Sequence, residues 1–365
     1  MTYSRIVGTG RYLPERIMTN ADLEKIVDTT DEWIRTRTGI ERRHIAAEDE
    51  TTCDMAEQAS REAMSAAGVS AADIDLVVVG TTTTDQIFPN VGCLLQARLG
   101  IHGCAAFSVE AACTGFIYAL GIADKFIRTG SARTALVIGA ETISRMVDWT
   151  DRSTCVLFGD GAGAVVLTAS DEEGVISTHL HADGKYKDLL YFPSGVSKRP
   201  DDFHAGRDYV HMSGNEVFKV AVNTLGRIVD ETLAANELRR ADIDWLIPHQ
   251  ANMRIIQATA RKLKMPMEQV IQTVQDHGNT SAASVPMAMR RARVVFPEPG
   301  GPQKIMLPGS PLSSMTLSAF PGPRRCRWPR NSSRVAGRIL AARGRSRGGF
   351  PAAPTLPFII GTSLR

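Results

Sequence analysis

The chain has 365 residues, of which 43% are hydrophobic and 22% charged, the proportions of an ordinary globular enzyme. Aromatic residues make up only 6%, which gives no sign of a nucleic-acid surface, and the six cysteines show neither CxxC nor zinc-type Cys/His spacing. No charged-then-apolar leader and no run of eighteen apolar residues occurs, so we expect a cytoplasmic protein without a membrane segment.

The net charge of +3 conceals two segments of opposite sign. Residues 290–365 hold 14 basic residues and a single acid, Glu298, whereas residues 1–289 hold 28 basic and 38 acidic residues. Eleven of the 18 prolines also lie beyond position 289. This change in composition predicts a boundary at Arg290.

In the first 289 residues, apolar runs rich in β-branched residues alternate with segments of 3.6-residue periodicity. In chain order the pattern predicts a helix over 52–67, strands over 74–79 and 105–109, a helix over 114–129, strands over 134–138 and 164–167, and helices over 215–235 and 252–263. This alternation is typical of an α/β fold in which helices join parallel strands.

A faint repeat indicates that the fold is duplicated. The tetrapeptide Ala-Asp-Ile-Asp at 72–75 recurs at 241–244, and each copy is followed after an apolar run by a turn of small residues that enters a helix. Two related halves would place two helix N-termini in one crevice at the ends of parallel strands, where α/β proteins commonly bind ligands.

Three side chains near these turns could carry chemistry. Cys113 opens a helix, and the helix dipole favours the nucleophilic thiolate. His249 follows an apolar run and precedes a helix, so its ring can point into the crevice, and Asn279 lies in a glycine-containing turn. Alone, Cys113 could equally be a buried structural cysteine and Asn279 a plain helix cap. Together, a thiol and two neutral donors are the groups that acyl transfer through a thioester requires.

Five parts of the chain resemble motifs of the β-ketoacyl-acyl carrier protein synthase III family, in that family's order and spacing. They are DEWI (31–34) with TRTGI (36–40), VEAACTGF (109–116), FGDGAGA (158–164), HQAN (249–252) and HGNTSAAS (277–284). The resemblance implies a thiolase-like α/β fold, in which duplicated βαβαβ halves form a layered α/β/α/β/α arrangement. The halves would be residues 1–172, with the cysteine, and residues 173–289, with the histidine and asparagine.

The resemblance also implies a reaction, the condensation that initiates type II fatty acid synthesis. Acetyl would pass from coenzyme A to Cys113, and malonyl-acyl carrier protein would decarboxylate and attack that thioester while His249 and Asn279 stabilise the enolate. This His/Asn pair differs from thiolases, which carry a second catalytic cysteine, and from synthases I and II, which use two histidines. No cofactor and no metal are implied, because acetyl-CoA or another short acyl-CoA enters as a substrate.

Binding residues follow from the same resemblance. For coenzyme A they are Trp33, which would stack on the adenine, Arg37 and Arg152 near the nucleotide, and Gly214 and Asn252 along the pantetheine arm. For the acidic acyl carrier protein they are Lys219, Arg254, Arg261 and Lys262. Phe88 matches a position that, in the family's homodimer, enters the partner's acyl pocket and limits chain length. Without the family, the residues alone favour a core or rim aromatic for Trp33, ordinary surface charges for Arg37 and Arg152, and a solvated helix face for the basic residues.

The resemblance ends at Met289. Residues 290–365 form a basic tail rich in proline and arginine, so we expect the C-terminal strands and the glycine-rich oxyanion loop of the family to be missing; residues 347–351 match that loop only weakly. Our hypothesis is a reading-frame change or a misassembled gene, and the rival is a basic disordered extension that binds acidic lipid or nucleic acid. The alternative function is accordingly an inactive relative that keeps the fold and binds acyl-CoA without turnover.

Overall fold

The structure, a computed structural model, describes residues 2–206, 208–295, 305–308 and 358–361. Within these ranges the strands are β1 (Tyr3–Tyr12), β2 (Arg16–Thr19), β3 (Arg42–Ile45), β4 (Leu76–Gly80), β5 (Ala105–Val109), β6 (Thr134–Glu141), β7 (Gly161–Ser170), β8 (Val175–His179), β9 (Leu190–Tyr191), β10 (His211–Met212), β11 (Trp245–Leu246), β12 (Ile305–Pro308) and β13 (Phe358–Gly361). The helices are α1 (Asn20–Leu23), α2 (Asp31–Thr38), α3 (Thr52–Ala67), α4 (Val91–Leu99), α5 (Gly115–Arg128), α6 (Arg152–Cys155), α7 (Pro200–His204), α8 (Gly214–Ala235), α9 (Met253–Leu263), α10 (Val274–His277) and α11 (Ser284–Val295).

The first sheet has five strands in the order β1-β7-β6-β4-β5. β4 runs parallel to β5 and β6, whereas β7 runs antiparallel to β6 and β1. The prediction of parallel strands is therefore confirmed at the centre of the sheet and wrong for β7. The connection from β6 to β7 contains only short helical segments, and parallel pairing needs a full crossover.

Helices cover both faces of the first sheet. Along β4, Val77 and Val79 pack in a cluster with α3 and α4, while Leu76 and Val78 pack on the opposite face with α5. A strand that is buried on both faces has a continuous apolar sequence instead of an alternating one. Burial on both faces therefore explains the unbroken apolar run from which the sequence predicted β4.

The second sheet has four parallel strands in the order β11-β12-β13-β8. Two of them, β12 and β13, come from the basic tail, so the expectation that the C-terminal strands are missing is wrong. The tail's overall composition hides two short apolar runs, Ile-Met-Leu in β12 and Phe-Ile-Ile in β13, which suit parallel strands. The predicted boundary at Arg290 also lies inside α11, where Arg290 Nε donates to Glu62 at 2.8 Å.

The predicted repeat takes the same local form in both halves. Short 3₁₀ turns at Ala71–Asp73 and Arg240–Asp242 precede β4 and β11. Ala112 and Ser281, with φ of 43° and 47°, begin the turns that lead into α5 and α11. These two turns contact each other, so the N-termini of α5 and α11 meet at one crevice.

Candidate active site

A cavity of about 380 Å³ brings together the three residues that the sequence selects for chemistry. Cys113, His249 and Asn279 all contribute to its wall. The first comes from the N-terminal half of the chain, and the other two come from the segment between β11 and α11. A concave site with a few convergent polar groups is the usual form of a substrate pocket.

Cys113 is the middle residue of the turn Ala112–Thr114, directly before α5. Ala112 has φ 43°, a left-handed conformation that strains a residue with a side chain. Gly80 permits the close approach of the start of α5 to β4, because a Cβ there would lie 2.3 Å from the carbonyl carbon of Gly115. The fold thus holds Cys113 at the N-terminal end of α5, which is the positive end of the helix dipole.

His249 lies just after β11 and is 6% exposed. Burial lowers the pKa of His249 from 6.5 to about 3, so the ring is neutral near pH 7. Its Nδ1 lies 2.6 Å from Ser284 Oγ, whereas Nε2 has no hydrogen-bond partner within the described part of the chain. Nε2 is therefore the ring nitrogen that remains for a ligand in the cavity.

Asn279 sits in a turn that is docked on the cavity wall. Its backbone N–H donates to the Leu157 carbonyl at 2.8 Å, and its own carbonyl accepts the Gly159 N–H at 3.2 Å. The side-chain Oδ1 accepts the backbone N–H of Ser281 at 3.0 Å. With Oδ1 engaged, the amide NH₂ group is the end of the side chain that can donate to a ligand.

A buried carboxylate that the sequence does not indicate supports this turn. Glu141, at the end of β6, accepts the backbone N–H of Thr82 and of Thr83 at 3.2 Å and the hydroxyl of Ser281 at 3.2 Å. Burial raises the pKa of Glu141. The carboxylate joins three segments that are distant in the chain, so no local pattern could reveal its role.

Gln250 is a second supporting residue that sequence reasoning missed. Its Nε2 donates to the carbonyls of Pro248 and Ile271 at 2.7 and 3.1 Å, and its Oε1 accepts the Thr273 N–H at 2.8 Å. This buried amide ties the loop that carries His249 to the segment that leads toward Asn279. A glutamine directly after the histidine was the only available signal.

Two guanidinium groups lie beside the Trp33 ring, which also lines the cavity. The guanidinium carbon of Arg37 is 5.2 Å from the ring centroid, and that of Arg152 is 5.0 Å away. Arg152 does not line the cavity itself, and it donates to the Asp28 carbonyl at 2.7 Å. Two cations beside one aromatic ring favour an anionic, aromatic ligand at this end of the cavity.

Comparison with known proteins decides the family. Two family profiles match, one described as 3-oxoacyl-[acyl-carrier-protein] synthase III over residues 107–184 and one as its C-terminal part over residues 233–295. The β-ketoacyl-[acyl-carrier-protein] synthase III of Thioalkalivibrio sulfidiphilus is 68% identical over 289 residues, which cover 79% of this chain and 90% of that protein. This chain belongs to the β-ketoacyl-acyl carrier protein synthase III family. It is an acyltransferase of the condensing-enzyme type.

Solved structures of the family agree with this assignment. The synthase III of Aquifex aeolicus is 48% identical with a TM-score of 0.76, and the alignment covers 81% of this chain and 92% of that one. The synthase III of Pseudomonas aeruginosa is 38% identical with a TM-score of 0.77, covering 84% and 95%. The predicted family and thiolase-like α/β fold are confirmed, and the alternative of an inactive relative is not favoured.

Four of the five residues that the family implies for coenzyme A line the cavity, namely Trp33, Arg37, Gly214 and Asn252. The Asn252 side chain is also used within the fold. Its Oδ1 caps α9 by accepting the Arg254 N–H at 2.8 Å, and its Nδ2 donates to the Arg37 carbonyl at 3.2 Å. Asn252 therefore fixes α2 relative to α9 as well as facing the cavity.

The residues that the family implies for the carrier protein lie on α8 and α9, which pack together. This carrier patch consists of Lys219, Arg254, Arg261 and Lys262. Lys219 Nζ lies 2.7 Å from Glu216 and Lys262 Nζ lies 2.7 Å from Asp230, so acids of the same chain compensate two of its charges. Arg254 instead lines the cavity, with its guanidinium carbon 5.0 Å from the Phe218 ring centroid.

Phe88 does not line the cavity of its own chain. It is 83% exposed, and its neighbour Ile87 is 61% exposed. Both precede α4, on the side of the first sheet where β5 forms the edge. These two adjacent side chains form a small exposed apolar patch.

Three remaining expectations concern metals, membranes and the glycine-rich loop. Among the described residues, no group of three His, Cys, Asp or Glu side chains is arranged to hold a metal ion. None of the described helices combines the length and apolar character needed to cross a membrane. Residues 347–351, the weak match to the loop, lie outside the described residues.

Proposed function

We propose that this chain converts acetyl-CoA and malonyl-acyl carrier protein to acetoacetyl-acyl carrier protein, CoA and CO₂, the first condensation of type II fatty acid synthesis. The observation that carries this proposal is that Cys113, His249 and Asn279 meet in one cavity. A nucleophile at a helix N-terminus beside two neutral donors fits acyl transfer followed by enolate stabilisation. Membership of the synthase III family supports the same reaction.

The first half-reaction transfers the acyl group. The Cys113 thiolate attacks the carbonyl carbon of acetyl-CoA, the carbon–sulfur bond to CoA breaks, and the departing CoA thiolate takes up the proton that Cys113 has lost. The adenine would stack on Trp33, with the CoA phosphates near Arg37 and Arg152 and the pantetheine arm along Gly214 and Asn252. The two guanidinium groups beside the Trp33 ring support this placement.

The second half-reaction forms the carbon–carbon bond. Malonyl-acyl carrier protein loses CO₂, and the resulting enolate carbon attacks the carbonyl carbon of the acetyl group on Cys113. The bond from that carbon to the Cys113 sulfur then breaks, and Cys113 leaves as the thiolate. His249 and Asn279 would donate to the enolate oxygen. Because burial lowers the pKa of His249 to about 3, the ring acts as a neutral donor and not as an acid near pH 7. The two thioester substrates supply all the atoms and electrons of the products, and the side chains named here supply the nucleophile and the donors. We therefore propose that no cofactor takes part.

The proposal is tested by following the protein's intact mass. Incubation with acetyl-CoA should add one acetyl group per chain, and malonyl-acyl carrier protein should then remove it with the appearance of acetoacetyl-acyl carrier protein. A chain that binds acetyl-CoA but gains no covalent acetyl group would contradict the proposal and support an inactive relative.

Within the carrier patch we expect Arg254 to matter more than Lys219 and Lys262, because both lysines are already paired with acids of their own chain. Arg254→Ala should raise the KM for malonyl-acyl carrier protein by roughly 5-fold to 10-fold, whereas Lys262→Ala should change it less than about 2-fold. Steady-state kinetics at low ionic strength measure both. Equal effects of the two substitutions would show that the pairs do not compensate the charges.

We further propose a cytoplasmic homodimer in which Phe88 enters the partner's acyl pocket and limits the primer to a short acyl group. The exposed apolar side chains of Ile87 and Phe88 support this arrangement. Analytical ultracentrifugation that finds only monomers at micromolar concentration would contradict it.

We also propose the division into halves at residue 172 and the origin of the tail from position 290 in a reading-frame change. The second half does not end at residue 289, because β12 and β13 of the tail belong to its sheet. The abrupt change in charge and proline content supports a foreign origin of the tail. An uninterrupted reading frame in the sequenced locus would refute the frame change.

A further inference from the structure

The contact between Ser284 and His249 links the first residue of α11 to the ring that faces the cavity. Ser284 is 1% exposed, and its Oγ lies 2.6 Å from His249 Nδ1. The same oxygen lies 3.4 Å from the backbone N–H of Gln250, which donates to it. Ser284 belongs to the motif HGNTSAAS, but the reaction scheme gives it no role.

A neutral imidazole carries its single proton on one of two nitrogens. The position of that proton decides whether the ring presents an N–H group or a lone pair to the cavity. With the proton on Nδ1, His249 would donate to Ser284 and present a lone pair at Nε2. With the proton on Nε2, Ser284 would donate to Nδ1 and the ring would present an N–H group. Only the second arrangement can stabilise an enolate oxygen, because a lone pair would repel it.

The surroundings of Ser284 distinguish the two arrangements. If Oγ accepted both the Gln250 N–H and an Nδ1–H, the hydroxyl hydrogen would have no acceptor among the described residues, at a position that is 1% exposed. A buried donor without an acceptor is unfavourable. If the hydroxyl donates to Nδ1 and accepts the Gln250 N–H, both hydrogen bonds of Ser284 are satisfied.

We propose that Ser284 is a positioning residue that donates its hydroxyl hydrogen to Nδ1 of His249 and thereby fixes the tautomer whose Nε2–H faces the cavity. The consequence for catalysis rests on the proposed function, in which that N–H stabilises the enolate. The tautomer itself does not depend on the reaction, so it is measurable even in a protein that proves inactive.

The direct test is ¹⁵N NMR of protein labelled at histidine, at pH 7. The signals of His249 are assigned because they disappear from the spectrum of His249→Ala. In the unaltered protein they should show a protonated Nε2 and an unprotonated, hydrogen-bonded Nδ1. A protonated Nδ1 would overturn the proposal whatever the activity. In Ser284→Ala the two nitrogens should move toward a mixture of tautomers, and an unchanged spectrum would also overturn it.

The kinetic test separates the two half-reactions. Ser284→Ala should lower the rate of malonyl-acyl carrier protein decarboxylation about 10-fold or more, by analogy with the effect of outer hydrogen-bond partners on metal-bound histidines, while acetylation of Cys113 stays within about 2-fold. Ser284→Thr keeps the hydroxyl and should retain most of the rate. Equal losses in Ser284→Ala and Ser284→Thr, or equal losses in both half-reactions, would show a merely structural role and contradict the proposal. Absence of acetylation in the unaltered protein would instead refute the proposed function and leave the NMR result valid.

Discussion

Replacing Cys113 by alanine is expected to abolish covalent acetylation of the protein and to lower the condensation rate by roughly 10⁴-fold or more, because the reaction loses its acyl carrier. The cavity should persist, since Cys113 is half-buried at its wall and alanine removes only the sulfur atom. Mass spectrometry after incubation with acetyl-CoA measures the first effect, and a condensation assay measures the second.

The matched control is Cys93→Ala. Cys93 is also half-buried, but it lies on α4 with its thiol directed to the Ala106 carbonyl and it does not line the cavity. Its replacement should leave acetylation intact. Acetylation that survives in Cys113→Ala, or disappears in Cys93→Ala, would place the acyl group on a different residue from the one proposed.

For the two donors, His249 and Asn279, we expect the main loss in the decarboxylation of malonyl-acyl carrier protein and not in the acetylation of Cys113. His249→Ala and Asn279→Ala should each lower malonyl-acyl carrier protein decarboxylation by about 100-fold to 1000-fold, the usual cost of losing one oxyanion donor. Cys113→Ala should keep much of this decarboxylation, because both donors remain. A loss of decarboxylation in Cys113→Ala as large as that in Asn279→Ala would contradict the division of roles.

Local signals explain why much of the fold was predictable. α3 was predicted over 52–67 and has those bounds, because Thr51 and Asp54 form a capping box at its start and Gly68, with φ 67°, ends it. The turn before α5 likewise carries its own signal in a run of small residues. Such features depend on neighbours in the sequence, so a single chain reveals them.

Features that depend on distant partners were not predictable. Ser284, Gln250 and Glu141 each act on segments far away in the chain, and a serine, glutamine or glutamate gives no local sign of burial. The pairing of Lys262 with Asp230 likewise depends on how α8 packs on α9. The family resemblance supplied the three candidate residues for the reaction but not the groups that hold them.

The tail strands were missed for a related reason. β12 and β13 are four residues each, too short to produce a periodic pattern, and they lie in a segment whose average composition is basic and rich in proline. Their place is decided by partners: β12 pairs with β11, and β13 joins β12 to β8. The average composition of the tail gives no sign of the eight residues of β12 and β13 that pair in the second sheet.

Removal of residues 358–365 is therefore expected to destabilise the protein severely. β13 pairs on one side with β12 and on the other with β8, so its loss separates β8 from the rest of the second sheet and exposes two strand edges. At about 1 kcal/mol for each backbone hydrogen bond, the free energy of unfolding should fall by on the order of 3 to 6 kcal/mol, a large part of the total for a typical domain. Urea unfolding followed by circular dichroism measures this change.

Deletion of residues 362–365 alone is the matched control, because it shortens the tail and removes Arg365 but leaves β13 intact. The longer deletion should also lower the condensation rate, since β11, which leads to His249, pairs with β12 in the same sheet. If the tail were a basic extension without a place in the fold, both deletions would leave stability and activity unchanged. Equal unfolding midpoints for the two truncated proteins would thus refute the completion of the second sheet by the tail, whereas a selective loss on removing β13 would show that the fold depends on it.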